Sequence, residues 1–199
     1  TWLLDGNIRG RVSDMFINNL QVSGLKDTRV AVKGRITGLP DADKIKADLT
    51  IYNISSSKKD ILSLVPAHAF PAGISLPDKI ALNGKINGGI EKLTTDLKLN
   101  TDLGNASLQG ATQNITDAHK AIYDVELQTQ SLDLGTILQD KNNFGPVTAS
   151  FNVKGKGYDL KTANASLQGQ IRSAIIKQYN YQGLNINGTV SDQKANLHA

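Results

Sequence analysis

Aliphatic and polar residues alternate along most of the chain, most clearly from Leu82 to Ile90. Every second residue there is aliphatic or glycine, and Asn and Lys stand between them. Side chains of an extended strand point alternately to opposite faces of a sheet. The stretch therefore predicts a half-buried β-strand with room beside Gly84 and Gly88. Similar alternation predicts strands over 4–12, 16–24, 30–38, 47–52, 123–129, 147–157 and 184–190.

Two short stretches break this alternation and predict helices. Residues 55–65 begin with three serines and end at Pro66, which is typical of a short capped helix. Residues 132–138 predict a single helical turn after a strand. Residues 67–77 hold three of the five prolines, so we expect an irregular crossing and a possible sub-boundary at 66–79.

The strand pattern repeats, but at irregular intervals. Residues 105–110 and 164–169 share the sequence Asn-Ala-Ser-Leu-Gln-Gly, and related glycines stand at 34, 84, 155 and 188. Irregular spacing argues against a solenoid with fixed rungs and favours an antiparallel meander. Glycine inside a strand indicates a bend or the close approach of another surface. The sequence predicts an all-β fold, a long, curved antiparallel meander sheet with one aliphatic face and one or two short helices.

Composition favours a thin sheet over a thick core. Apolar residues are 39% of the chain, against roughly 45–50% in a typical domain, and aromatic residues are 5%. The net charge of +4 is scattered, without the clusters of Arg and aromatic residues that nucleic-acid grooves need. We therefore expect no nucleic acid as a partner. Separately, the absence of cysteine excludes disulfides and thiolate metal sites.

No group of residues predicts catalysis or a cofactor. His68, His119 and His198 lack metal-ligand spacing, and Asp14, Asp41 and Asp43 are better explained by turns than by calcium binding. The Gly-Lys pairs at 84–85 and 155–156 lack the spacing of a phosphate loop. We expect a protein that is not an enzyme and has no cofactor or metal.

Several motifs resemble one family of bacterial envelope proteins. The segments 30–41 (Val-Ala-Val-Lys-Gly-Arg-Ile-Thr-Gly-Leu-Pro-Asp), 80–110 and 122–138 are similar to the periplasmic region of AsmA-family and TamB-like proteins. The family's N-terminal membrane anchor and the C-terminal domain of TamB have no counterpart here. The resemblance implies a U-shaped sheet, called a β-taco, with a hydrophobic groove. It also implies phospholipid transport between inner and outer membranes, or outer-membrane assembly.

The resemblance implies a location and partners as well. We expect a periplasmic segment of an inner-membrane-anchored protein of a Gram-negative bacterium, whose partners are phospholipid and, in outer-membrane assembly, an outer-membrane β-barrel protein. Residues 1–199 would form one continuous β-rich segment of a larger protein. We expect the groove to be lined by Val30, Val32, Ile36, Leu49, Ile51, Leu82, Ile86, Ile90, Leu97, Leu99, Leu108, Val125, Leu127, Phe151, Val153, Leu167, Ile171, Ile186 and Val190.

Periodicity alone leaves a second interpretation open. Two sheets could close over the same aliphatic residues as a β-sandwich core. A β-sandwich or β-helix module of a secreted or surface protein could then bind glycans. Such sites usually present exposed aromatic side chains, and Trp2, Tyr179 and Tyr181 are the candidates.

Overall fold

The computed structural model describes residues 3–24, 26–64, 73–159, 163–191 and 193–198. In these residues, twelve strands pair in sequence order as one open antiparallel sheet. The strands are β1 Leu3–Arg11, β2 Asp14–Gly24, β3 Thr28–Thr37, β4 Lys46–Ser57, β5 Lys79–Gly89, β6 Lys92–Thr101, β7 Gly104–Gln113, β8 Ile122–Asp133, β9 Phe144–Lys156, β10 Asn164–Ile176, β11 Tyr179–Ser191 and β12 Lys194–His198. The helices are α1 Lys58–Leu64 and α2 Leu134–Ile137, with a 3-10 turn at Ala42–Lys44. The predicted fold class is confirmed.

The sheet is a single layer. Within the described chain, the strands in substantial contact are sequence neighbours, and the helices make much smaller contacts, α1 mainly with β4 and α2 mainly with β9. The protein exposes 12982 Å² of surface, whereas a compact protein of its mass would expose about 9,100 Å². The alternative sandwich and β-helix architectures are therefore wrong, because among the described residues no second sheet covers the first and all strand pairs are antiparallel.

Each helix is fixed by a carboxylate. The Asp60 side chain in α1 is buried, and its Oδ2 accepts hydrogen bonds from the Asp27 amide (2.8 Å) and the Thr28 hydroxyl (2.9 Å). These bonds hold α1 against the turn between β2 and β3. Asp133 caps α2, because its Oδ1 accepts from the Thr136 amide at 3.0 Å. The serines at 55–57 end β4, and Ser57 caps α1 as predicted, because its Oγ accepts from the Asp60 amide three residues later.

Shifts in strand register are confined to two parts of the described sheet. Between β1 and β5 they lie at Asn7/Ile8, Ile17/Leu20, Ala31/Val32 and Ile51/Ile54. Between β8 and β10 they lie at Thr129/Leu132, Ile171/Ser173 and Ala174/Ile176. The pairings from β5 to β8 are regular. Bulges bend strands and increase their twist. We therefore divide the sheet into an N-terminal part (β1–β4) and a C-terminal part (β9–β12), which contain the bends, and regular central strands (β5–β8) between them.

The glycines of the sheet serve different purposes. Gly84 has a φ of 137°, and a Cβ placed there would lie 2.0 Å from the carbonyl oxygen of Asp96 on the next strand. The space beside Gly169 is occupied by the ring of Phe151. Gly188 has an ordinary φ, and a Cβ there would meet nothing closer than 3.3 Å. The spare room predicted beside Gly84 and Gly88 is therefore absent, because a Cβ at Gly88 would likewise collide with a backbone carbonyl, that of Lys92. At Gly188 the one tight neighbour is the end of the Leu197 side chain, which can yield.

Candidate functional site

One face of the sheet carries a continuous surface of aliphatic side chains, here called the apolar face. Residues directly opposite in an antiparallel pair share a face, and the register links Leu97 to Leu108, Leu108 to Leu127 and Leu127 to Phe151. The same row continues through Gly169 to Ile186 on β11. A single ladder of apolar positions therefore crosses the sheet from strand to strand.

The register places eighteen of the nineteen expected groove residues on the apolar face. They are Val30, Val32, Ile36, Leu49, Ile51, Leu82, Ile86, Leu97, Leu99, Leu108, Val125, Leu127, Phe151, Val153, Leu167, Ile171, Ile186 and Val190. The remaining residue, Ile90, lies in the two-residue turn between β5 and β6. A turn residue does not continue the alternation of the strand before it, so Ile90 is outside the ladder.

The sequence prediction missed further residues of the apolar face. The register adds Ile17, Leu20, Leu93, Val147 and Leu184 to it. Strict alternation from Phe16 would put Phe16 and Leu20 on the same face, but the register shift between Ile17 and Leu20 separates them. Consecutive asparagines at 18–19 are the one local sign of that shift.

The opposite face, here called the polar face, carries charged and amide side chains. Lys154 Nζ lies 2.8 Å from Asp124 Oδ2 on the neighbouring strand, and Arg35 forms two 2.7 Å hydrogen bonds with Asp14. The Arg35 guanidinium also lies 4.5 Å from the centre of the Phe16 ring. The hydrogen bonds with Arg35 lower the pKa of Asp14, and the bond to Asp124 raises the pKa of Lys154. These pairs are exposed, so their charges remain in water.

The most buried side chains of the apolar face lie in the two parts of the sheet that contain register shifts. Ile17, Val32 and Ile51 in the N-terminal part are only 5%, 8% and 5% exposed and form one cluster. A second cluster contains Ala149, Ile171 and Ala174 in the C-terminal part. On the regular central strands, Leu108 and Leu127 face each other and remain 36% and 38% exposed. The buried clusters thus lie in the bent parts, while Leu108 on β7 and Leu127 on β8 stay partly exposed.

An apolar hollow lies between β9 and β12 on the same face. Its volume is about 360 Å³, and its lining includes Val153, Leu167, Gly188, Val190 and Leu197. Leu197 stands on the short edge strand β12 and is 66% exposed. The hollow is therefore walled by aliphatic side chains and open to solvent at the edge of the sheet.

The candidate metal ligands do not come together. Among the described residues, no three His, Cys, Asp or Glu side chains are grouped so that they could hold a metal ion. His119 and His198 are exposed, and His68 lies outside the described residues. Asp41 caps the 3-10 turn by accepting from the Asp43 amide, and Asp14 pairs with Arg35.

The remaining candidates have structural roles or lie at the margin of the sheet. The Gly-Lys pairs at 84–85 and 155–156 lie within β5 and β9, not between a strand and a helix. Tyr179 and Tyr181 are exposed at the start of β11, where they pair with Ile176 and Ala174. Trp2 lies outside the described residues.

Comparisons with known proteins give no relative for this chain. No protein-family model, curated protein or solved structure matches it. In the described part of the chain, neither helix has the length and hydropathy that a membrane span requires. The arguments for function therefore come from the apolar face itself.

Proposed function

We propose that this chain is a non-catalytic segment of a lipid-transport protein, and that its apolar face shields the acyl chains of phospholipids. The observation that carries the proposal is the continuous aliphatic ladder from β2 to β11, which no second layer of the described chain covers. Soluble monomers rarely expose contiguous apolar patches larger than a few hundred Å² unless the patch binds something.

The energetics suit an acyl chain as the occupant. Each methylene group removed from water contributes about 0.8 kcal/mol, so partial cover of one acyl chain adds up to a substantial free energy. Leu108 and Leu127 at the centre are already partly exposed. They can contact an acyl chain without any existing packing being broken first. The polar face and the ends of the strands keep the outside of the sheet compatible with water.

The resemblance to AsmA-family and TamB-like proteins supports a wider proposal. The chain would be the periplasmic part of an inner-membrane-anchored protein in a Gram-negative bacterium. It would carry phospholipid between the inner and outer membranes, and it could also serve outer-membrane assembly by contacting a β-barrel protein. The work would be done by the surface as a whole, without a catalytic residue, a cofactor or nucleic acid.

Photocrosslinking from neighbouring residues on opposite faces tests the proposal. A photoreactive amino acid at Val153 would lie on the apolar face, and one at Asn152 would lie on the polar face. We expect ultraviolet irradiation in cells to attach phospholipid to the Val153 variant and not to the Asn152 variant, as read by mass spectrometry of the purified protein. Equal labelling of both variants, or no lipid on either, would refute the proposal.

A further inference from the structure

The apolar hollow between β9 and β12 differs from the rest of the apolar face. We propose that this hollow holds one acyl chain of an anionic phospholipid, with the headgroup beside Lys156. This inference rests on the proposed function and deepens it, because it assigns the binding position of the acyl chain and the charge of the headgroup. It is carried by the space at Gly188, by the closed packing elsewhere and by the charges at the mouth of the hollow.

The missing side chain at Gly188 helps to form the hollow. A Cβ at this position would lie 3.3 Å from Leu197 Cδ1, with Leu167 Cβ at 3.5 Å and the Asn196 carbonyl oxygen at 3.6 Å, so Leu197 alone would have to yield. At Gly84 and Gly169, by contrast, the next strand's carbonyl or an aromatic ring already fills the site. Because Leu197 is largely exposed on a short edge strand, it can move to admit a chain.

The N-terminal part of the apolar face is a poorer binding position for an acyl chain. Ile17, Val32 and Ile51 pack together there with little exposure. An acyl chain could enter only by separating side chains that already contact one another, and this would expose as much apolar surface as it covers. Leu108 and Leu127 are accessible, but they stand on regular strands and do not enclose a hollow.

The mouth of the hollow indicates the charge of the headgroup. At Ala165, Ser166 and Val190 the apolar hollow adjoins a wider cleft of about 940 Å³ at the ends of the strands, which Lys154 and Lys156 line from the polar face. Lys154 is neutralised by Asp124 at 2.8 Å, whereas no carboxylate within salt-bridge distance of Lys156 is found among the described residues.

Hydroxyl groups accompany this cation. Thr189 and Ser191 line the same cleft and can donate hydrogen bonds to phosphate oxygens. An exposed, uncompensated ammonium beside hydroxyl donors favours an anionic group over a zwitterionic one. An apolar hollow that adjoins such a cleft matches the two ends of an anionic phospholipid.

Substitutions at the two ends of the hollow test the inference. The whole protein is incubated with vesicles of phosphatidylglycerol or of phosphatidylcholine and reisolated, and bound phospholipid is counted by native mass spectrometry. Gly188→Leu fills the hollow, and Asn187→Leu adds the same side chain to the polar face as its control. Since a leucine side chain displaces several methylenes, we expect Gly188→Leu to lose about tenfold or more in bound lipid and Asn187→Leu to match the wild type.

The headgroup is tested separately. Lys156→Gln should reduce the preference for phosphatidylglycerol over phosphatidylcholine by about two- to fivefold, as expected for one exposed ion pair. Lys98→Gln, which removes an exposed lysine from the polar face of β6, should leave the preference unchanged. An unchanged preference in Lys156→Gln would overturn the assignment of the headgroup.

A second measurement does not depend on the folding of Gly188→Leu. A photoreactive residue at Leu197 should attach lipid more efficiently than one at Leu127, because only Leu197 lines the hollow. Equal attachment, or undiminished lipid on a folded Gly188→Leu protein, would overturn this inference and leave the proposed function standing. Absence of lipid on the wild-type protein would overturn both.

Discussion

Replacing Gly84 and Gly188 by alanine should change the stability of the protein in opposite directions. Both glycines lie on the apolar face, but their backbones differ. At Gly84, φ is 137°, and the new Cβ would lie 2.0 Å from Asp96 O and 2.9 Å from Leu97 Cα. These are backbone atoms of the neighbouring strand, so relief requires the two strands to move apart.

The magnitudes follow from these contacts. A non-glycine residue in a sparsely populated backbone region costs of order 1–3 kcal/mol, and the clash places Gly84→Ala at the upper end, about 3 kcal/mol. At Gly188 the tightest contact of the new methyl group is 3.3 Å to Leu197 Cδ1, the end of an exposed side chain that can yield, and Leu167 Cβ and the Asn196 carbonyl oxygen lie at 3.5 and 3.6 Å. Gly188→Ala should therefore stabilise the protein by about 0.4–1 kcal/mol, because it restricts the unfolded chain without straining the folded one.

Urea denaturation followed by far-ultraviolet circular dichroism measures both changes. With an m-value of about 2 kcal/mol/M, the midpoint should fall by about 1.5 M for Gly84→Ala and rise by about 0.2–0.5 M for Gly188→Ala. Equal shifts for the two variants, or an unchanged midpoint for Gly84→Ala, would refute the distinction between a glycine that backbone geometry requires and one whose nearest neighbour can yield.

Three further substitutions test the packing of the sheet. Ile51→Ala should cost about 2–5 kcal/mol in urea denaturation and Leu127→Ala less than half as much, because Ile51 is buried and Leu127 is not; equal costs would contradict the division of the apolar face. The Phe151 ring covers the backbone at Gly169, so Phe151→Ala should open space there and increase the binding of an apolar fluorescent dye. Unchanged fluorescence would argue that the ring does not fill this space. Burial opposes ionisation of Asp60, but its hydrogen bonds outweigh this effect and lower its pKa. The stabilisation by Asp60 is therefore present above the pKa of the unfolded carboxyl and lost as the pH falls through the lower folded value. Asp60→Asn should reduce the loss of stability below about pH 4, and an unchanged acid transition would contradict this role.

The sequence predicted the strands well because alternation is a local property. Residues 82–89 form β5 with the expected faces, and the meander follows because short turns can only join antiparallel neighbours. Ile90 was placed wrongly in this strand because an aliphatic residue in a tight turn preserves the alternating pattern. The serine cap of α1 was also predicted, and Ser57 forms it, although β4 extends through all three serines.

The division of the apolar face could not be read from the sequence. A bulge moves every later residue of a strand to the other face, yet the shift between Ile17 and Leu20 leaves almost no signature in the residue types. Glycine is equally ambiguous. Whether Gly84, Gly169 or Gly188 leaves space depends on the neighbouring strand, which is the part of the structure that periodicity cannot supply.

The strictly sequential order of the strands has a consequence for folding. Each of the twelve strands pairs only with the strands next to it along the chain, so most contacts close loops of about twenty residues or fewer, apart from the β4–β5 and β8–β9 connections. Short loops close at low entropic cost, and proteins dominated by such contacts fold quickly for their size. Any hairpin can nucleate the sheet, which then grows by adding one strand at a time, as repeat proteins do. Amide hydrogens should consequently exchange fastest at β1 and β12 and slowest in the middle of the sheet.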